Sequence, residues 1–336
     1  MHRRDTLVTL LALGATAGSI ELLSQTVAGD RPFRIGLPTR FSTAGIREGF
    51  IAGMQKLGWR ERRDFILVET AVPYDPARAD EAANRIMDQK PDLLFVFSTA
   101  HAVAVRRLTT TLPVVMVVSG YPVESGLANS LARPGKNVTG NSIYAGTGIW
   151  GKLLELLRDA KPGIRSVGVL WSYAPPAFPA EEIEPLYREI RQGAAALGQT
   201  VKIVEVPTPD RLLAALNTIA SDRPDALIVT GGMVRWEGWS TVMQFATDRN
   251  LPTISDWEQV PDDKRPRPLL TYAPRGGDLL DQAIAYVDRI LKGAKPADLP
   301  IQQPSRFDLV VNLKTAKAIG LKMPESILLR AHRVIE

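Results

Sequence analysis

PDLLFVFSTAHAVAVRRLTTTLPVVMVVSG, running from Pro91 to Gly120, decides the fold. Leu93–Phe97 and Val114–Val118 are short apolar runs without polar alternation, the pattern of strands buried on both faces of a parallel sheet. Ala100–Leu108 between them reads as the crossover helix, with Ser98 or Thr99 as N-cap. Each strand ends in small hydroxyl residues, Ser98-Thr99 and Ser119-Gly120, at the carboxyl edge where open α/β sheets hold ligands. Caps and turns without any ligand would use the same residues.

Outward from this stretch, 336 residues are too many for one typical domain and suit two. Hydrophobic residues make up 45% and charged residues 23%, a globular balance. The net charge of +5 is scattered, and Arg60/Arg62/Arg63, Arg106/Arg107 and Lys264/Arg265/Arg267 lack the interleaved aromatics of a nucleic-acid face. Residues 1–28 read as an export leader: His2-Arg3-Arg4, an apolar core over Leu7–Ile20, and a small-residue cleavage site at Thr26-Val27-Ala28. Arg3-Arg4 hints at the twin-arginine route, with the ordinary secretory route equally open. With no cysteine, the expected product is a periplasmic protein without disulfides, thiolate metal sites or a lipid anchor.

The mature chain alternates strands and helices. Phe33–Leu37 is a first strand running into Thr39 and Ser42, followed by a helix over Glu48–Leu57 closed by Gly58 and a strand over Phe65–Thr70. A helix opening at Asp75-Pro76 stops before Pro91, and a loop-rich stretch from Gly126 to Gly140 leads to a short strand ending at Asn141-Ser142. A second series repeats the order: strand Ser166–Leu170, helix Glu182–Leu197, strand Val201–Val206, helix Asp210–Ser221, strand Asp225–Val229, helix Val242–Arg249 and strand Pro252–Ile254. Lys90-Pro91-Asp92 recurs as Arg223-Pro224-Asp225, 133 residues on, Gly36 recurs as Gly168, and Leu112-Pro113 recurs as Leu251-Pro252. The expected architecture is therefore α/β, two similar doubly wound parallel-sheet lobes.

The tail adds a strand at Leu269–Tyr272, a helix at Asp278–Leu291, a strand at Phe307–Asn312 and a helix at Leu313–Ile319. A strand arriving after both lobes must rejoin one of them. The chain is thus expected to cross between lobes near Ser142, Tyr272 and Pro300. The expected division is 32–142 plus 272–298 for the first lobe and 143–271 plus 299–336 for the second.

Nucleotide and hydrolase signatures are missing: no Gly-x-Gly-x-x-Gly, no phosphate-binding loop and no Gly-x-Ser-x-Gly. Three histidines, one of them in the leader, give no triad or metal cluster, so neither catalysis, cofactor nor metal is expected. His101 is expected to be a partly exposed helix residue. A binding cleft fits better, lined by Thr39, Ser42, Ser98, Thr99, Ser119, Tyr121 and Ser142 from one lobe. The other lobe would supply Trp171, Ser172, Tyr173, Gly231, Gly232, Asp256 and Trp257, with Tyr272 from the crossing strand. Helix N-termini just beyond Ser98 and Gly232, with the N–H or hydroxyl groups of Ser98, Thr99 and Gly231, would hold a carboxylate, and Trp171, Tyr173, Trp257 and Tyr272 would stack on an apolar or planar solute.

Gly126–Gly140 (GLANSLARPGKNVTG), Lys292–Pro300 (KGAKPADLP) and Val311–Leu321 (VNLKTAKAIGL) resemble the ABC-transporter substrate-binding protein family whose best-known members bind aromatic amino acids such as tryptophan. The resemblance covers essentially the whole mature chain. It implies the periplasmic-binding-protein type I fold, a small amino-acid-like or aromatic carboxylate ligand between lobes, and delivery to an ABC permease; separately, a monomer that binds no nucleic acid is expected. Departures from the family's pattern fall at Ser98-Thr99-Ala100-His101, at Lys264–Pro268 and at Trp236 and Trp239. A receptor feeding a signalling protein and an enzyme on the same fold are the alternatives.

Overall fold

The computed structural model describes residues 31–38, 44–72, 78–143, 148–172, 180–231, 238–258 and 265–336. The leader, Thr39, Ser42, Tyr173 and Gly232 lie outside them.

A first sheet has the order β2-β1-β3-β4-β5, all parallel: β1 Phe33–Leu37, β2 Phe65–Glu69, β3 Leu93–Val96, β4 Val114–Ser119 and β5 Val138–Ser142. Side chains alternate across a strand, and here both faces are covered. Leu93, Phe95 and Phe97 pack with Phe50 and Met54 of α1 (Ala44–Lys56) on one side. Leu94 and Val96 pack with Ala83 and Ile86 of α2 (Ala79–Asp88) and Ala102 and Val105 of α3 (Thr99–Leu108) on the other.

The second sheet has the order β12-β11-β10-β9-β8-β6-β7: β6 Ser166–Trp171, β7 Thr200–Glu205, β8 Ala226–Val229, β9 Thr253–Ser255, β10 Leu270–Pro274, β11 Phe307–Asn312 and β12 Arg333–Ile335. Its doubly wound part is parallel, while β11 runs antiparallel to β10. The helices are α4 Ile149–Ala160, α5 Ala180–Ala196, α6 Leu212–Asp222 and α7 Trp239–Asp248. After them come α8 Gly276–Leu291, α9 Leu313–Ala318 and α10 Glu325–Leu328. α4, α10 and β12 have no counterpart in the sequence reading, and the helix expected from Asp210 is a 3₁₀ turn over Pro209–Arg211 followed by α6. Among the described residues no helix is long and apolar enough to cross a membrane.

The internal repeat has a physical basis at atomic level. A Cβ on Gly36 would stand 2.6 Å from Leu94 and 3.0 Å from Pro91, and one on Gly168 would stand 3.1 Å from Leu227 and 3.4 Å from Pro224. In each half the glycine lets a helix residue, Ile86 or Ile219, approach the sheet. Lys90 and Arg223 share the left-handed backbone conformation, with φ of 49° and 48°. Asp92 exchanges hydrogen bonds with Arg34, its N–H reaching Arg34 O at 2.8 Å and its carboxylate accepting Arg34 N–H at 2.8 Å. Asp225 does the same with Ser166, at 2.8 and 2.9 Å.

The chain passes between lobes in both directions. β10 belongs to the larger sheet through Pro274, past the Tyr272 boundary of the sequence reading, and only then does the chain enter α8. That helix sets Ala283, Ile284, Val287 and Ile290 into the first lobe's core. The chain then follows β5 as far as Gln302: Thr139 Oγ1 donates to Leu299 O at 2.7 Å, Gln302 N–H to Gly140 O at 2.9 Å, and Ser142 N–H to Gln302 O at 2.8 Å. The return to the second sheet therefore comes after 302, where the reading placed it at 299. The stretch 126–140 also holds this segment, with Gly135 N–H on Ala297 O and Ile301 N–H on Leu131 O at 3.1 and 2.7 Å.

Candidate ligand-binding cleft

At the carboxyl end of β3, Ser98 caps α3. Its Oγ accepts His101 N–H at 3.2 Å and lies 2.6 Å from His101 Nδ1. The bond to the backbone N–H is the helix cap, and His101 itself is only 2% exposed, against the expected partly exposed position. Thr99 is buried, with Oγ1 accepting Gly120 N–H at 3.0 Å and 3.2 Å from Ser119 Oγ. Ser119 stands beside Ser142 in the β4–β5 register. The structure thus brings Ser98, Thr99, Ser119 and Ser142 to one sheet edge, where the Ser98 and Thr99 hydroxyls already serve caps and turns.

Tyr121 follows immediately, in the left-handed region at φ 53°. It leaves the first lobe and joins the hydrophobic cluster of the second with Trp150, Trp171 and Trp257. Trp150 Nε1, in the first turn of α4, donates to Tyr121 Oη at 2.9 Å. Burial pushes the Tyr121 hydroxyl well above its ordinary range, Trp150 pulls it back, and the carboxylates of Glu189, Asp256 and Glu124 add to the rise. The tyrosine therefore sits neutral between the lobes.

On the second lobe, Asp256 is 2% exposed and its Oδ1 accepts Gly231 N–H at 2.6 Å. This corrects the role expected for Gly231: its N–H holds the protein's own carboxylate rather than an external anion. A Cβ on Gly231 would meet Trp257 Cβ at 2.6 Å, so the glycine keeps Trp257 close. Ser172 Oγ lies 2.8 Å from Thr230 Oγ1.

Trp171 requires a second correction. It is fully buried, with its ring centroid 5.3 Å from those of both Trp150 and Tyr187, so it packs the core instead of offering a face to a solute. Tyr272, packed against the edge of the same cluster, stacks on Phe307 at 5.2 Å and borders a groove of about 440 Å³ with Leu156, Arg330 and His332. Trp150 and Glu189 escaped the sequence reading. The apolar spacing of Ile149–Ala160 could have found the first, whereas Glu189 has no local signal. Among the described residues no group of His, Cys, Asp and Glu could hold a metal ion.

Two lobes of this kind, meeting at their sheet edges through Tyr121, define a type I periplasmic-binding-protein fold. Residues 41–335 match the family described as ABC transporter substrate binding protein, and the chain belongs to that family. A curated relative, the tyrosine-binding protein of Clostridioides difficile (strain R20291), is 23% identical over 279 residues, covering 82% of this chain and 76% of that protein. The crystal structure of an ABC domain in complex with L-Trp from Streptococcus pneumonia is 23% identical, covers 90% of this chain and 100% of its own, and has a TM-score of 0.77. A conserved domain protein from Vibrio cholerae O1 biovar eltor is similar at 22% identity and TM-score 0.76, over 90% and 99% of the two chains.

Proposed function

We propose that this protein, after export to the periplasm and removal of its leader, captures an amino-acid-like or aromatic carboxylate solute between its lobes and delivers it to an ABC permease. It does so as a monomer and without catalysis. The observation that carries this reading is the convergence of Ser98, Thr99, Ser119 and Ser142 at one sheet edge and Asp256 and Trp257 at the other, with Tyr121 spanning the two. The ligands of two relatives, tyrosine and L-Trp, support an aromatic amino acid as the first class to try. A solute touching both lobes favours the closed arrangement by its extra contacts there.

A thermal-shift screen of amino and aromatic acids, followed by calorimetry, tests this. A binder is expected to raise Tm, and Ser98→Ala combined with Asp256→Asn is expected to weaken it at least tenfold while circular dichroism stays unchanged. A binder whose affinity survives the double substitution would remove these residues from the site.

A further inference from the structure

At the first lobe's edge, Ser98 does more than cap a helix. Of the four hydroxyl residues that converge there it alone is not buried, Thr99, Ser119 and Ser142 being 7%, 0% and 3% exposed. A hydroxyl has one proton to give and two lone pairs to receive with. One lone pair of Ser98 Oγ takes the backbone N–H of His101 at 3.2 Å. His101 Nδ1 lies 2.6 Å from the same oxygen. An N–H donor usually stands about 2.9–3.0 Å from oxygen and seldom below about 2.7 Å, whereas hydroxyl donors come as close as about 2.5 Å. The separation therefore fits donation from the Ser98 hydroxyl to the ring, with the imidazole's own proton on Nε2. His101 is 2% exposed in the first turn of α3, so packing keeps the ring against this oxygen.

The groups around Ser98 have the same polarity. Thr99 Oγ1 accepts Gly120 N–H at 3.0 Å and lies 3.2 Å from both Gly120 O and Ser119 Oγ, so its proton stays within the lobe. The second lobe brings the Asp256 carboxylate to its edge, a group that only accepts.

We infer that His101 sets the polarity of the cleft edge: by drawing the Ser98 proton inward it leaves that hydroxyl a lone pair for the solute. The first lobe then receives a hydrogen-bond donor, an ammonium foremost, and not a carboxylate. This reverses the role expected of Ser98 from the sequence. It rests on the solute-capture reading above and narrows it, since an amino-acid-like solute carries such a donor and a plain aromatic carboxylate does not. A carboxylate placed against Ser98 would set acceptor against acceptor, whereas an ammonium gains a charge-assisted bond. His101 is a positioning residue that acts through Ser98, which gives a task to the Ser98-Thr99-Ala100-His101 departure noted in the sequence.

The scarcity of histidine makes the first test direct. The chain has three, one of them in the leader, so nitrogen-15 labelling of histidine gives a spectrum that His332→Gln, at an exposed position, suffices to assign. In solute-free protein, His101 is expected to show a bare, accepting Nδ1 and a protonated Nε2, and Ser98→Ala should move the Nδ1 signal. A proton on Nδ1 overturns the proposal. Calorimetry then compares L-tryptophan with indole-3-propionate, the same molecule without its amino group. The parent is expected to prefer L-tryptophan, and Ser98→Ala to weaken it at least about tenfold while weakening indole-3-propionate less than about twofold. Both solutes meet the same variant, so loss of the helix cap cancels from the comparison. His101→Phe, which returns the Ser98 proton to the cleft, should narrow the parent's preference. Circular dichroism verifies folding, and if either variant does not fold, the parent's spectrum and preference decide. Equal affinity of the parent for the two solutes, or equal weakening of both by Ser98→Ala, overturns the proposal. If neither solute binds the parent, it is the solute class that fails, and the histidine spectrum decides this proposal alone.

Discussion

Gly231 donates its N–H to Asp256, and any side chain at its Cα would collide with Trp257. Overpacking at so enclosed a position costs about 1–3 kcal/mol. Gly231→Ala is therefore expected to lower stability by that amount in chemical denaturation, and a loss below about 0.5 kcal/mol would show that Trp257 can move aside. Ser98 was legible as a cap because capping is local: a hydroxyl at the end of a strand meets the N–H three residues on. Trp171 was misread for the opposite reason. Its position at the end of a strand is visible in sequence, but its burial depends on how the flanking helices α4 and α5 fold back to set Trp150 and Tyr187 against it, which no local pattern states.

Each half carries the same junction, a left-handed residue followed by Pro-Asp, whose carboxylate ties the new strand to the neighbouring one. That is why Lys90-Pro91-Asp92 and Arg223-Pro224-Asp225 stood out in the sequence. Backbone N–H groups of Arg165 and Ser166 hold the Asp225 carboxyl below its usual range. A carboxyl lowered on folding contributes stability above its unfolded value of about 3.9, and that contribution fades as pH falls through the folded value. Asp225→Asn should accordingly be less stable than the parent at neutral pH, with the gap narrowing in acid below about pH 4. A gap unchanged between pH 7 and pH 3 in thermal melts would contradict this. α4 went unread because it starts without the usual signals: Gly148 supplies no side-chain cap and its first turn holds no acid. β12 is three residues of mostly exposed chain, and only pairing with β11 makes it a strand.

At the scale of the whole molecule, Asn141 fastens the crossing region. It is buried, and its Nδ2 donates to Val117 O in β4 at 3.2 Å and to Leu279 O in α8 at 2.7 Å. Asn141→Ala leaves two buried carbonyls without that donor, at about 1–3 kcal/mol each. Chemical denaturation should show a loss of at least about 2 kcal/mol, and amide exchange in the first turn of α8 should accelerate; unchanged exchange there would place the anchor elsewhere. Two lobes were legible because a repeat is a long-range signal written in short motifs. Tyr121 reaching into the partner lobe was not, since no spacing rule says which side of a cleft a turn will cover.

The return of the chain through α8 has a consequence for biogenesis. The first lobe's core takes Ala283, Ile284 and Val287 from a helix that follows five of the second sheet's seven strands in the chain. A polypeptide ending at residue 270 would leave the hydrophobic side of α1 and β4 bare and the larger sheet without β10, β11 and β12. Neither lobe is built from one unbroken stretch of chain, so the first lobe's core is completed only once α8 is available to it.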